Sequence, residues 1–115
     1  MSTGARSVKN ANYFQCIVPG SHQIVNFTNV SAQSLAFDGT PGGEGTTILR
    51  LLATQDCHVY AGTNPTVVVP ASAGVKYSGM FVKANVTTYM GVEPGQKLAV
   101  IRDTADGVLH ITEGA

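Results

Sequence analysis

The stretch YMGVEPGQKLAVIRDTADGVLHITE, residues 89–113, holds two apolar runs, each introduced by a turn signal. Within Val92-Glu93-Pro94-Gly95 the proline pre-sets its own φ and the glycine accepts a positive one, which suits the central positions of a type II turn. A strand is expected to follow. Gln96 to Arg102 is rich in Leu, Val and Ile, and Asp103-Thr104-Ala105-Asp106-Gly107 has the Asp/Gly chemistry of a five-residue hairpin loop. Val108 to Glu113 is therefore expected to return antiparallel beside it.

The same alternation of short apolar runs and turn signals continues towards the N-terminus. Tyr13 to Val18 reads as a strand stopped by Pro19-Gly20, with His22 to Thr28 as its successor. Gln33 to Phe37 alternates so that Leu35 and Phe37 share a face. Asp38 to Gly45 is a glycine-rich loop. Thr46 to Ala53 satisfies helical as well as strand spacing, but its two threonines and its surroundings favour β. Asp56 to Ala61, Thr66 to Val69, Gly79 to Ala84 and Thr88 to Val92 read as further short strands, and Ala71 to Ser78 as loop. About eight to ten strands with no βαβ alternation predict an all-β chain, an antiparallel two-sheet sandwich of jelly-roll type, with an immunoglobulin-like sandwich as the rival.

The chain of 115 residues fits one domain, 13–115, preceded by a polar arm at 1–12. Lys+Arg and Asp+Glu balance at seven each, so no electrostatic field argues for nucleic acid or an anionic membrane. Charged residues make up only 12% of the chain, about half the usual share. A surface so poor in charge is expected to be covered in part by another chain. Met1 to Asn12 lacks the apolar core of a signal peptide, and no stretch reads as a membrane span. Cys16 and Cys57 are too few for a disulfide framework and read as free thiols. The Asn-x-Ser/Thr triplets at Asn26, Asn29 and Asn85 carry no weight without a secretory route.

Two strands carry apolar residues on both faces. Leu49, Leu51 and Ala53 share one face of their strand, while Ile48 and Leu52 flank Arg50 on the other; Leu98 and Val100 oppose Ala99 and Ile101. Either loops cover the second face, or it is a subunit interface.

Chemistry is harder to find. Asp56, His58 and Tyr60 alternate onto one face, an acid beside a base, yet no G-x-S-x-G elbow supplies a nucleophile. Cys57 and His58 are adjacent and so point to opposite faces, which disfavours a shared metal ion. The loop from Gly39 to Gly45 lacks the Gly-Lys-Ser/Thr ending of a phosphate cradle. His22 and His110 stand alone and receive no role. No catalytic residue, cofactor or metal is expected.

Four segments carry a resemblance: Asp56 to Thr66 (DCHVYAGTNPT), Gly79 to Tyr89 (GMFVKANVTTY), Val92 to Ile101 (VEPGQKLAVI) and Gly107 to Glu113 (GVLHITE). Together they resemble a group of small structural proteins of tailed phages, over roughly the C-terminal half of the chain. The resemblance implies a non-enzymatic virion component, with a capsid decoration (cement) protein as the specific expectation. Such a protein would sit on the outer capsid surface as a homotrimer or other homo-oligomer, bind the major capsid protein, and be assembled in the host cytoplasm. A head-completion or tail component is the alternative within the particle. From another class, a carbohydrate-binding module would use Tyr60, Tyr77 and Tyr89 as stacking rings, but the chain has no Trp. Interface candidates are Arg6 and Lys9 on the arm and Ile48, Arg50 and Leu52 on the two-sided strand.

Overall fold

The structure is a computed structural model that describes residues 19–38 and 47–114. It contains eight strands and, among the described residues, no helix: β1 (Pro19–Phe27), β2 (Ala32–Gln33), β3 (Thr47–Ala53), β4 (Cys57–Gly62), β5 (Met80–Val82), β6 (Thr88–Val92), β7 (Lys97–Arg102) and β8 (Gly107–Gly114). β1 pairs with β8, β2 with β7, β3 with β6 and β4 with β5, all antiparallel. The chain thus behaves as one long ribbon folded back on itself. Wrapping that ribbon brings β3 against β8 and β4 against β7, which gives two four-stranded sheets ordered β1-β8-β3-β6 and β2-β7-β4-β5. This is jelly-roll connectivity, and the immunoglobulin-like rival, whose first two strands share a sheet, is set aside.

The core lies between the sheets. Leu49, Leu51, Leu98, Val100, Leu109 and Ile111 are all fully buried there, with Phe27, Phe37, Val59 and Val82. Thr47 to Ala53 is a strand because its alternation meets a two-sided environment: the odd positions enter the core, and Ile48, Arg50 and Leu52 face outward.

The expected C-terminal hairpin does not form. β7 belongs to one sheet and β8 to the other, and Asp103 to Asp106 arches across the end of the sandwich. Arg102 N–H donates to Thr28 O at 2.9 Å and Asp103 N–H to Asp56 O at 3.0 Å, which turns the chain away before it can reverse in plane. The preceding turn is as expected: Gly95 has φ +86° and Gln96 N–H donates to Glu93 O at 3.1 Å. It, too, joins strands of different sheets.

Three other expectations are corrected. Pro19 and Gly20 lie within β1 instead of breaking the chain, since an edge strand tolerates a missing N–H and the register shifts before His22. Regular pairing in β2 stops at Gln33, because Ser34 Oγ accepts Leu98 N–H at 2.9 Å in place of a backbone carbonyl. Gln23 Oε1 then accepts Leu35 N–H at 2.9 Å, so Leu35 ends 76% exposed while Phe37 is buried. Thr66 to Val69 is not a strand but part of the long β4–β5 connection. The expected strand Tyr13 to Val18, the arm with Arg6 and Lys9, Cys16 and the loop Gly39 to Gly45 lie outside the described residues.

Candidate functional site: the open face of the first sheet

The two outer faces of the sandwich differ. On the β2-β7-β4-β5 sheet, the β4–β5 connection folds back over β7, and Val67 and Val69 pack on Ala99 and Ile101. Gln33 Nε2 donates to Asn64 Oδ1 at 3.0 Å and to Pro65 O at 2.8 Å, and Val67 N–H donates to Ser31 Oγ at 3.1 Å. A loop therefore accounts for the second apolar face of β7.

No such cover lies, among the described residues, over the β1-β8-β3-β6 sheet. Its outward positions are aligned by register: His22 beside Thr112, Thr112 beside Arg50, Arg50 beside Tyr89; and in the next row Ile24 beside His110 and His110 beside Leu52. Ile24 is 57% exposed, and Ile48 and Tyr89 are exposed as well, while Arg50 and Leu52 are half-buried by their neighbours. Arg50 Nη2 donates to Thr87 Oγ1 at 3.4 Å. The structure thus brings Ile48, Arg50 and Leu52 together on one open surface that carries no carboxylate at these positions.

His22 and His110, which the sequence leaves isolated, meet here. Pairing of β1 with β8 places them diagonally, with His110 Nδ1 3.5 Å from His22 Nε2, and His22 Nδ1 3.0 Å from Thr112 Oγ1. The signal that finds them is the partnership of first and last strands, which alternation within either strand does not reveal.

Asp56 and His58 do not form the pair that their spacing suggests. Asp56 precedes β4, and its Oδ1 accepts Ala84 N–H at 2.7 Å, tying β4 to the β5–β6 turn. His58 instead meets Asp103, Nε2 to Oδ1 at 2.9 Å, and its ring lies 5.4 Å from that of Phe81. His58 and Phe81 line a small cavity of about 120 Å³ with Val68, Pro70, Tyr77 and Met80. Tyr60 projects from the outer face of this sheet and Tyr89 from the opposite side of the sandwich, so the three tyrosines form no common stacking platform.

Cys57 faces the core, opposite to His58, and is fully buried. Burial, aided by the negative charge of Asp56, pushes its thiol up to about 12. Since the neutral thiol is the form that the fold favours, its contribution to stability is complete below the unfolded value near 9 and is lost as pH rises towards 12. Alkaline titration of a Cys57→Ala variant against the parent, followed by urea melts, should show the parent losing up to about 1.4 kcal/mol per pH unit more than the variant in that window. Thiol reagents should modify Cys57 at the rate of unfolding and no faster.

No family model, curated protein or solved structure matches this chain.

Proposed function

We propose that this protein is a non-enzymatic structural component of a virus particle: a decoration (cement) protein that binds the outer capsid surface of a tailed phage as a homo-oligomer and stabilises the shell. The observation that supports this reading is the difference between the two faces. One sheet is closed by the chain's own loop, whereas the other, among the described residues, presents Ile24, Ile48 and Tyr89 to solvent with Leu52 half-buried beside them. An apolar face of this kind is stabilised by burial against another protein, at roughly 25 cal/mol per Å² of apolar area removed from water. The resemblance of the four C-terminal segments to phage structural proteins directs the choice of partner, the major capsid protein. Residues 1–12 would add a second contact, with Arg6 and Lys9 towards acidic shell surface. A head-completion or tail role uses the same face with fewer copies per particle.

Ile48→Asp should leave the melting transition within about 0.5 kcal/mol of the parent and Leu52→Asp within about 1 kcal/mol, because the first position is exposed and the second half-buried in the isolated domain. Both should weaken self-association in sedimentation and binding to shells stripped of surface proteins, since burying a carboxylate costs its hydration, which the neighbouring Arg50 offsets only in part. Deleting residues 1–12 should weaken shell binding while leaving self-association intact. A parent protein that stays monomeric at high concentration and ignores stripped shells would remove the decoration role and leave the jelly roll standing.

A further inference from the structure

We infer that His22 and His110 form a two-imidazole chelating site for a first-row divalent transition ion, in the order Cu²⁺ before Ni²⁺ and Zn²⁺, on the open face of the first sheet. The argument begins with a distance. His110 Nδ1 and His22 Nε2 stand 3.5 Å apart, which is long for a hydrogen bond. Two nitrogens bound at about 2.0–2.1 Å to one tetrahedral ion are roughly 3.3–3.4 Å apart. The ring centroids are 5.5 Å apart, where imidazoles sharing an ion at this spacing have centroids roughly 5.4 Å apart and rings meeting head-on roughly 5.8 Å. Both rings are therefore placed to share a tetrahedral ion with almost no movement, whereas a tetragonal Cu²⁺ or Ni²⁺, whose adjacent nitrogens stand about 2.9 Å apart, would draw them together by about 0.6 Å.

Thr112 supplies the second half of the argument. In the tautomer that donates Nδ1–H of His22 to Thr112 Oγ1, 3.0 Å away, the His22 lone pair lies on Nε2, the nitrogen that faces His110. A hydrogen bond to the far nitrogen is the usual means of fixing a ligating imidazole, and losing it typically costs about 10–100-fold in metal affinity. Among the described residues no third His, Cys, Asp or Glu joins the pair to make a closed set. The ion would keep its other positions for water, or for a donor atom brought by whatever covers this face. Imidazole suits copper, nickel and zinc, and the general affinity order of divalent ions puts copper first. The inference stands on this geometry alone and does not depend on the decoration role.

The test is a calorimetric titration of the full chain with NiCl₂, and separately CuCl₂ and ZnCl₂, near neutral pH, for the parent and for His22→Gln, His110→Gln, Thr112→Val and His58→Gln. Each of the first two variants should lose at least tenfold in nickel affinity, and the double variant should lose little more than either. Thr112→Val, which keeps both ligands, should also fall about tenfold. His58→Gln, on the other sheet, should bind as the parent does. Circular dichroism confirms that the variants fold, and copper spectra of the parent should carry hyperfine coupling from two nitrogens. If His22→Gln or His110→Gln binds nickel as tightly as the parent, the rings do not share an ion and the site is disproved. Parent binding that only His58→Gln or thiol blocking removes would disprove it equally.

Discussion

Leu51→Ala should cost the domain about 2–5 kcal/mol, measured as a shift of the urea midpoint at constant slope. Leu51 is fully buried at the centre of β3, between Ile111 on β8 and Thr88 on β6, and it faces the opposite sheet. Strands held on both sides cannot easily collapse into the space that a truncated side chain leaves, so the cavity term should be near its full size. Leu35→Ala provides the control. Although Leu35 lies in an equally apolar-looking run, it is 76% exposed, and its loss should change stability by no more than about 0.5 kcal/mol. Equal effects at the two positions would mean that the register of the sandwich is wrong.

Gly79→Val should be the second large effect, at about 3 kcal/mol or more, from two causes that add. Gly79 has φ +125°, a conformation that a β-branched residue adopts only with strain of about 1–3 kcal/mol. A Cβ there would also stand 2.9 Å from Val59 O and 3.3 Å from a Val67 methyl carbon, and overpacking of this kind costs a further 1–3 kcal/mol or so. Gly95→Ala separates the two. Its φ is +86° and a Cβ there meets nothing within 4 Å, so it should show the strain alone, near 1 kcal/mol. Because Val67 seals Ala99 and Ile101, Gly79→Val should also raise hydrogen exchange in β7, which Gly95→Ala should not.

The core was legible from alternation alone: the six leucine, valine and isoleucine positions of β3, β7 and β8 that alternate inward are those that the sandwich buries. The turn at Pro94-Gly95 was legible for a similar reason, since its chemistry is complete within four residues. What escaped is whatever depends on distant chain. An apolar strand, an Asp/Gly break and another apolar strand describe a hairpin and an arch between sheets equally well, and only the partners of β7 and β8 distinguish them. Ala99 and Ile48 likewise look alike in sequence, each outward on a two-sided strand. Val67 covers one, and no described residue lies over the other. The meeting of His22 with His110 spans 88 positions and follows only from the pairing of first and last strands.

That pairing also sets a clock. β8 occupies an interior place in its sheet, flanked by β1 and β3, yet it follows the other seven described strands in the chain. Until residues 107–114 leave the ribosome, β1 has no neighbour within its sheet, and the most distant contacts of the chain must close before the nearer ones are secure. Topologies of such high contact order fold slowly, on the millisecond-to-second scale, and expose unpaired strand edges while they do so. A nascent chain stalled before residues 107–114 have emerged should therefore be captured by chaperones or proteases, whereas one in which β8 has paired escapes both. The supply of folded protein would then be governed by the emergence and pairing of β8 and not by the rate at which the earlier strands are made.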